Sequence, residues 1–203
     1  MSQPQHDRAS SIAKLLAPYL SVLVFWVWLH SAWLAILGYH AQILLWLWRE
    51  RRPLGARPGA RLLALALPFI LAGPVVYVLL PQIASVQVGE WMRIHGLSGV
   101  ALLTILPYFG LVHPPLEQLL WSPLRKQSPW AHVFFAGYHV IVLSSLIPPV
   151  WLAAVLVVLV CTSWIWQLIE SVSGGLSVPI MAHVLADAGI AIAALALAGA
   201  LSV

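Results

Sequence analysis

The sequence predicts an all-α, polytopic transmembrane helical bundle, and three observations predict it. Of 203 residues, 62% are hydrophobic and only 8% are charged, with a mean hydropathy of +0.94. A soluble domain has about a quarter of its residues charged, so this chain lacks the polar groups to cover its own surface in water. Uncharged stretches long enough to cross about 30 Å of hydrocarbon also recur along it. Finally, five of the ten basic residues (Arg49, Arg51, Arg52, Arg57 and Arg61) share one short connector, as the positive-inside bias of membrane proteins demands. That clustering argues against a nucleic acid as the partner of the +4 net charge. Membrane lipid is the partner that composition requires, and a multi-pass place in the bacterial inner membrane is expected. The first apolar run is too long for a signal-peptide core and ends without a small-residue cleavage site.

Residues 1–14 form a polar N-terminal tail, expected to be loosely ordered, and 15–203 form one transmembrane helical domain. No Asp, Glu, Lys or Arg occurs from Leu15 to Trp48. Two short passes there would leave no residues for a turn, and His30-Ser31-Ala32 offers no Pro or Gly, so one long tilted helix is expected. Arg49–Arg61, with Pro53, Gly55, Pro58 and Gly59, reads as a turn-rich cytoplasmic loop. Leu62–Leu80 returns across the membrane with a kink at Pro74, and Pro81–Arg93 is a short loop. Ile94–Leu111 is the third pass. Pro114 and Pro115 cannot continue a helix but can start one, which places Glu117 in the first turn of a new, short helix. Trp130–Leu146, Trp151–Ile169 and Val178–Val203 complete about six passes, with connections at Pro148-Pro149 and Gly174-Gly175. No internal repeat suggests duplicated halves.

Chemistry narrows to a few groups. Of six acidic residues, Asp7 lies in the tail, and Glu50, Glu90 and Glu170 lie at or beyond helix ends where water is within reach. Glu117 and Asp187 remain, and ionisable groups inside a membrane segment are expensive and mark function by default. His183 precedes Asp187 by four residues, so both emerge on one helix face. His139 lies midway along the fourth pass. Taken singly, each has a bland account: a structural histidine, a helix-locking pair, a helix-capping carboxylate. Cys161, the single cysteine, sits in an apolar run with no polar neighbour to activate it and reads as a small hydrophobe. His30, His40, His95, His113 and His132 read as structural or interfacial, with His113 set apart by lying four residues before Glu117.

The order of these residues resembles a known pattern. Glu117-Gln-Leu-Leu-Trp-Ser122, then Phe135-Ala-Gly-Tyr-His139, then His183-Val-Leu-Ala-Asp187 are similar to the Glu-Glu-x-x-x-Arg, Phe-x-x-x-His and His-x-x-x-Asn/Asp blocks of the CAAX-prenyl-protease-like and bacteriocin-processing intramembrane endopeptidases. Gly175–His183 also resembles that family's entry into its third block. The resemblance covers residues 114–189, the catalytic part it implies. Gln118 replaces the family's second Glu and Ser122 its Arg; a buried ion pair can be exchanged for neutral groups as a unit. These departures mark a divergent branch, and a sorting-signal protease that resembles the myxosortases is one form such a short chain can take.

The resemblance implies a glutamic endopeptidase acting on a membrane-anchored protein or peptide, without cofactor or metal. Glu117 would be the general base that takes a proton from water. His139 would hold that water or its Glu partner and pass a proton to the leaving amine. His183, oriented by Asp187, would hydrogen-bond the oxyanion. Three rivals use the same residues: a zinc site of two His and two carboxylates, a non-catalytic scaffold or immunity protein, and a small proton-linked transporter built on His183 and Asp187.

Overall fold

A computed structural model describes residues 3–50 and 60–199, with side chains placed for 10–49 and 62–199. Every regular element among the described residues is helical. Helix α1 begins as Gln3–Ser21 and continues as a π-helix over Val22–Trp28, and α2 is Ala32–Glu50. Helix α3 joins Ala60–Leu63, a 3₁₀ segment Ala64–Leu71 and Ala72–Ile83. The short α4 is Val88–Ile94, and α5 is the continuous Gly99–Gln127. Helices α6 (Trp130–Leu143), α7 (Pro149–Ser173) and α8 (Ser177–Leu197) complete the bundle. Five helical stretches are long and apolar enough to cross a membrane: Ser10–Trp28, Ala64–Ile83, Gly99–Gln127, Pro149–Ser173 and Ser177–Leu197. The chain is therefore a multi-pass, all-α membrane protein, with α6 a shorter apolar helix between spans.

Several boundaries differ from expectation. The polar N-terminus is helical from Gln3 onward, and Lys14 is buried with its ammonium 5.3 Å from the Trp46 ring centre. The single long helix over 15–48 is instead two. His30 adopts φ 48°, Ser31 N–H donates back to Phe25 O (2.8 Å), and Ala32 N–H donates across to His95 O (3.0 Å). A left-handed histidine can thus end a helix that lacks Gly and Pro, because tertiary hydrogen bonds satisfy the freed backbone. In α3 the departure from α geometry lies around Pro68, inside the 3₁₀ segment. Pro74 falls in the first turn after it. The basic loop lies, from residue 51 to 59, outside the described residues.

Pro114 and Pro115 do not begin a separate helix either. They follow directly on a π-helical turn, Tyr108–Val112, and the chain stays helical through to Gln127. Two prolines remove two N–H donors and crowd the preceding turn; widening that turn to the π form absorbs the mismatch. Glu117 therefore sits deep within a 29-residue helix.

Helix α8 occupies the middle, packing on α3, α5 and α7. Small residues let it do so. A Cβ on Gly73 would lie 2.7 Å from the Gly189 backbone, and one on Gly110 would lie 3.0 Å from Ala188 Cα. Close backbone approach through small residues is how helices pack where lipid removes the hydrophobic drive. It also draws His183 and Asp187 inward toward α5. Leu, Val and Trp side chains on the outer faces of α1, α3 and α7 stay exposed, as a lipid-facing surface requires. Cys161 belongs to that exposed outer face of α7 and is not the buried hydrophobe expected.

Candidate active site

Glu117 is 1% exposed and its two oxygens have different surroundings. Oε1 accepts a hydrogen bond from Tyr39 Oη on α2 (2.9 Å) and a short one from Tyr138 Oη on α6. The Tyr39 hydroxyl in turn accepts from Trp121 Nε1 (2.8 Å). Indole N–H can only donate, so the Tyr39 proton must point at the carboxylate. Oε2 faces His113 Nε2 on the same helix at 3.3 Å and His183 Nε2 of α8 at 3.7 Å, with no full hydrogen bond. His183 Nε2 also lies 3.3 Å from Asp187 Oδ2. One imidazole edge is thus shared between two acids.

The protonation pattern of His183 follows from its other neighbour. Gln118 contacts His183 Nδ1 (3.2 Å) through Nε2 and accepts a short bond from Arg125 Nη2 through Oε1. Guanidinium has donors only, so the Gln118 oxygen must face Arg125 and its NH₂ must face His183. Nδ1 is then an acceptor, and the imidazole proton resides on Nε2, aimed at Glu117 and Asp187. The ring stacks on Trp166 with centroids 4.2 Å apart, which holds its plane.

His139 joins the wall of the site without bonding Glu117. Its Nδ1 lies 2.8 Å from Phe135 O, and its ring stacks 4.0 Å from that of Tyr138. A carbonyl can only accept, so Nδ1 carries the proton and Nε2 keeps a lone pair. The neutral ring can accept a hydrogen bond from water but has no Nε2 proton to give a leaving group, which narrows the role expected of it.

Behind this layer lies a charged cluster that the residue pattern alone does not foreshadow. Arg125 is 3% exposed and Glu170 is 6% exposed. Glu170, expected at a wet helix end, accepts from Ser122 Oγ at 2.8 Å on both oxygens and from Lys126 Nζ at 2.5 Å. Arg125 also reaches Ser163 Oγ at 3.4 Å and lies 6.0 Å from the Trp166 ring centre. Gln118 and Ser122 are thus each hydrogen-bonded to a buried charged side chain, Gln118 to Arg125 and Ser122 to Glu170.

Of the four residues singled out from sequence, Glu117, His183 and Asp187 converge and His139 stands beside them. Tyr39, Tyr138, His40 and Arg125 were missed. Tyr39 and His40 are adjacent polar residues in a charge-free apolar run, and Tyr138 precedes His139; that placement was the available signal. Among the described residues no group of three or more His, Cys, Asp or Glu side chains converges as a metal ion requires. The chain matches no family model, no curated protein and no solved structure.

Proposed function

We infer that the chain is an intramembrane endopeptidase in which Glu117 activates water against a peptide bond of a membrane-anchored protein or peptide, such as a C-terminal sorting signal. One observation carries this reading: a single buried carboxylate has Oε1 held by two phenols while Oε2 faces two imidazoles, with Asp187 behind the second. A carboxylate tied on one oxygen and without a full hydrogen bond on the other is able to take a proton in a fixed direction.

The groups divide the work. Water loses a proton to Glu117 Oε2 as its oxygen adds to the scissile carbonyl carbon, with His139 Nε2 accepting a hydrogen bond from the O–H that stays on the added oxygen. His183 Nε2–H, whose tautomer Gln118 imposes, hydrogen-bonds the developing oxyanion. Collapse breaks the C–N bond, and the leaving nitrogen takes the proton held by Glu117. No step calls on a cofactor. The convergence of three motif residues supports the resemblance to the CAAX-prenyl-protease-like family. A bacterial inner-membrane location fits the helix pair α1 and α2. Because the chain breaks at residues 29–31, Lys14 of α1 and Arg49 of α2 come to one end, both over the Trp46 ring, and positive-inside bias makes that end cytoplasmic.

The test compares membrane-protein termini from cells carrying the wild type with those from cells carrying Glu117→Gln. The variant should accumulate to the same level, elute alike, and lose one set of new termini. Unchanged termini would leave a scaffold as the better reading, while a pH-driven flux in liposomes would point to transport.

A further inference from the structure

Glu117 Oε2 is the end of a continuous line of side chains that leads away from the site. His113 Nε2 lies 3.3 Å from it. On the far side of the same ring, His113 Nδ1 lies 2.8 Å from His40 Nε2, and His40 Nδ1 lies 2.7 Å from Tyr108 Oη. The two imidazoles are stacked at 24° with centroids 5.1 Å apart, and Phe109 stacks on the outer face of His113 at 5.2 Å. His40 and His113 are buried, whereas Tyr108 is half-buried. Tyr108 packs on Trp33, whose indole donates to Ala101 O (3.2 Å) near the start of α5. The line therefore runs from the buried carboxylate toward that end of the bundle.

Its polarity is consistent along its length. A carboxylate only accepts, so His113 Nε2, 3.3 Å from it though short of a full hydrogen bond, is the nitrogen that carries the proton, and His113 Nδ1 accepts from His40 Nε2–H. His40 Nδ1 then accepts from the Tyr108 hydroxyl. Each imidazole has one protonated and one bare nitrogen, the arrangement needed to pass a proton across the ring.

We propose that Tyr108, His40 and His113 form a proton relay through which Glu117 gains and loses its proton independently of a bound substrate. Inward transfer moves the Tyr108 proton to His40 Nδ1, the His40 Nε2 proton to His113 Nδ1, and the His113 Nε2 proton to Glu117 Oε2. Tyr108 is replenished from a hydronium outside, which becomes water. Both rings finish neutral with their protons on the opposite nitrogens, and the reverse sequence discharges Glu117. The relay rests on the reading of Glu117 as the water-activating base, since it sets whether that base is charged when substrate shuts the site.

The measurement is nitrogen-15 NMR of histidine-labelled protein in lipid nanodiscs, following exchange of the His113 Nε2 proton with solvent. Tyr108→Phe removes one hydroxyl and keeps the ring packing; His40→Gln keeps a polar side chain but cannot relay. Each should slow that exchange by roughly a hundredfold, the low end of what a positioned acid–base group contributes. A purely structural role predicts the opposite sign, because loosening the site would speed exchange. Unchanged or faster exchange in both variants, or a His113 proton on Nδ1 while Glu117 is ionised, overturns the relay. The experiment needs no substrate, so intact processing in Glu117→Gln would sink the protease reading alone.

Discussion

Gln118 bridges Arg125 and His183, and its amide can face only one way between them. That makes a neutral residue the orienting element for the imidazole that points at Glu117. Gln118→Leu should leave the helix intact but free His183 to place its proton on either nitrogen, and strip a buried guanidinium of an acceptor. Processing should fall roughly a hundredfold, as when one oxyanion donor is lost. Gln118→Glu is the sharper variant. Its carboxylate would still accept from Arg125 but would demand a proton from His183 Nδ1, reversing the tautomer or charging the ring. Nitrogen-15 shifts of His183 report the change directly, and an unchanged Nε2 tautomer in Gln118→Glu would show that Gln118 does not set it.

The two phenols on Glu117 Oε1 are unequal partners. Tyr138→Phe removes one hydrogen bond to a charged acceptor, a loss of about 1.5–3 kcal/mol. Tyr39→Phe removes a similar bond and also leaves Trp121 Nε1 buried without its acceptor, an added cost of about 1–3 kcal/mol. Thermal unfolding in detergent should therefore rank Tyr39→Phe below Tyr138→Phe. Because both bonds end on one buried oxygen, the double variant leaves that oxygen without a donor and should lose more than the sum. Equal midpoints for the two single variants would contradict the donor assignment at Tyr39.

Much of this site was legible because membrane depth makes ionisable residues conspicuous. Glu117, His183 and Asp187 stand out against apolar helices, and four-residue spacing puts the last two on one face. The all-α class follows from composition alone. What remained hidden depended on tertiary placement. His30 ends a helix only because Phe25 and His95 supply backbone partners, so no local residue marks the break. The double proline at 114–115 reads locally as a helix start, yet a π-turn upstream carries the helix past it. Arg125 and Glu170 lie near helix ends in sequence, but the packing of α5 and α7 buries both. Tyr39 and His40 lie too far from Glu117 along the chain for any spacing to connect them.

Helix α8 reaches the site only because α3 yields room to it at Gly73. A methyl at that position would lie 2.7 Å from the Gly189 backbone, closer than carbon atoms approach, and backbone cannot rotate aside as a side chain would. Gly73→Ala should therefore push α3 and α8 apart at a cost of about 1–3 kcal/mol, the usual range for overpacking. His183 and Asp187 lie within two turns of Gly189 on α8, so the displacement reaches the pair that faces Glu117. Processing should fall together with the unfolding midpoint. Gly174→Ala provides the contrast: φ is 73° there and nothing lies within 4 Å of the added methyl, so only about 1 kcal/mol of left-handed strain is expected. If Gly73→Ala unfolds at the wild-type midpoint, the two helices do not meet through these glycines and the placement of α8 against the site must be redrawn.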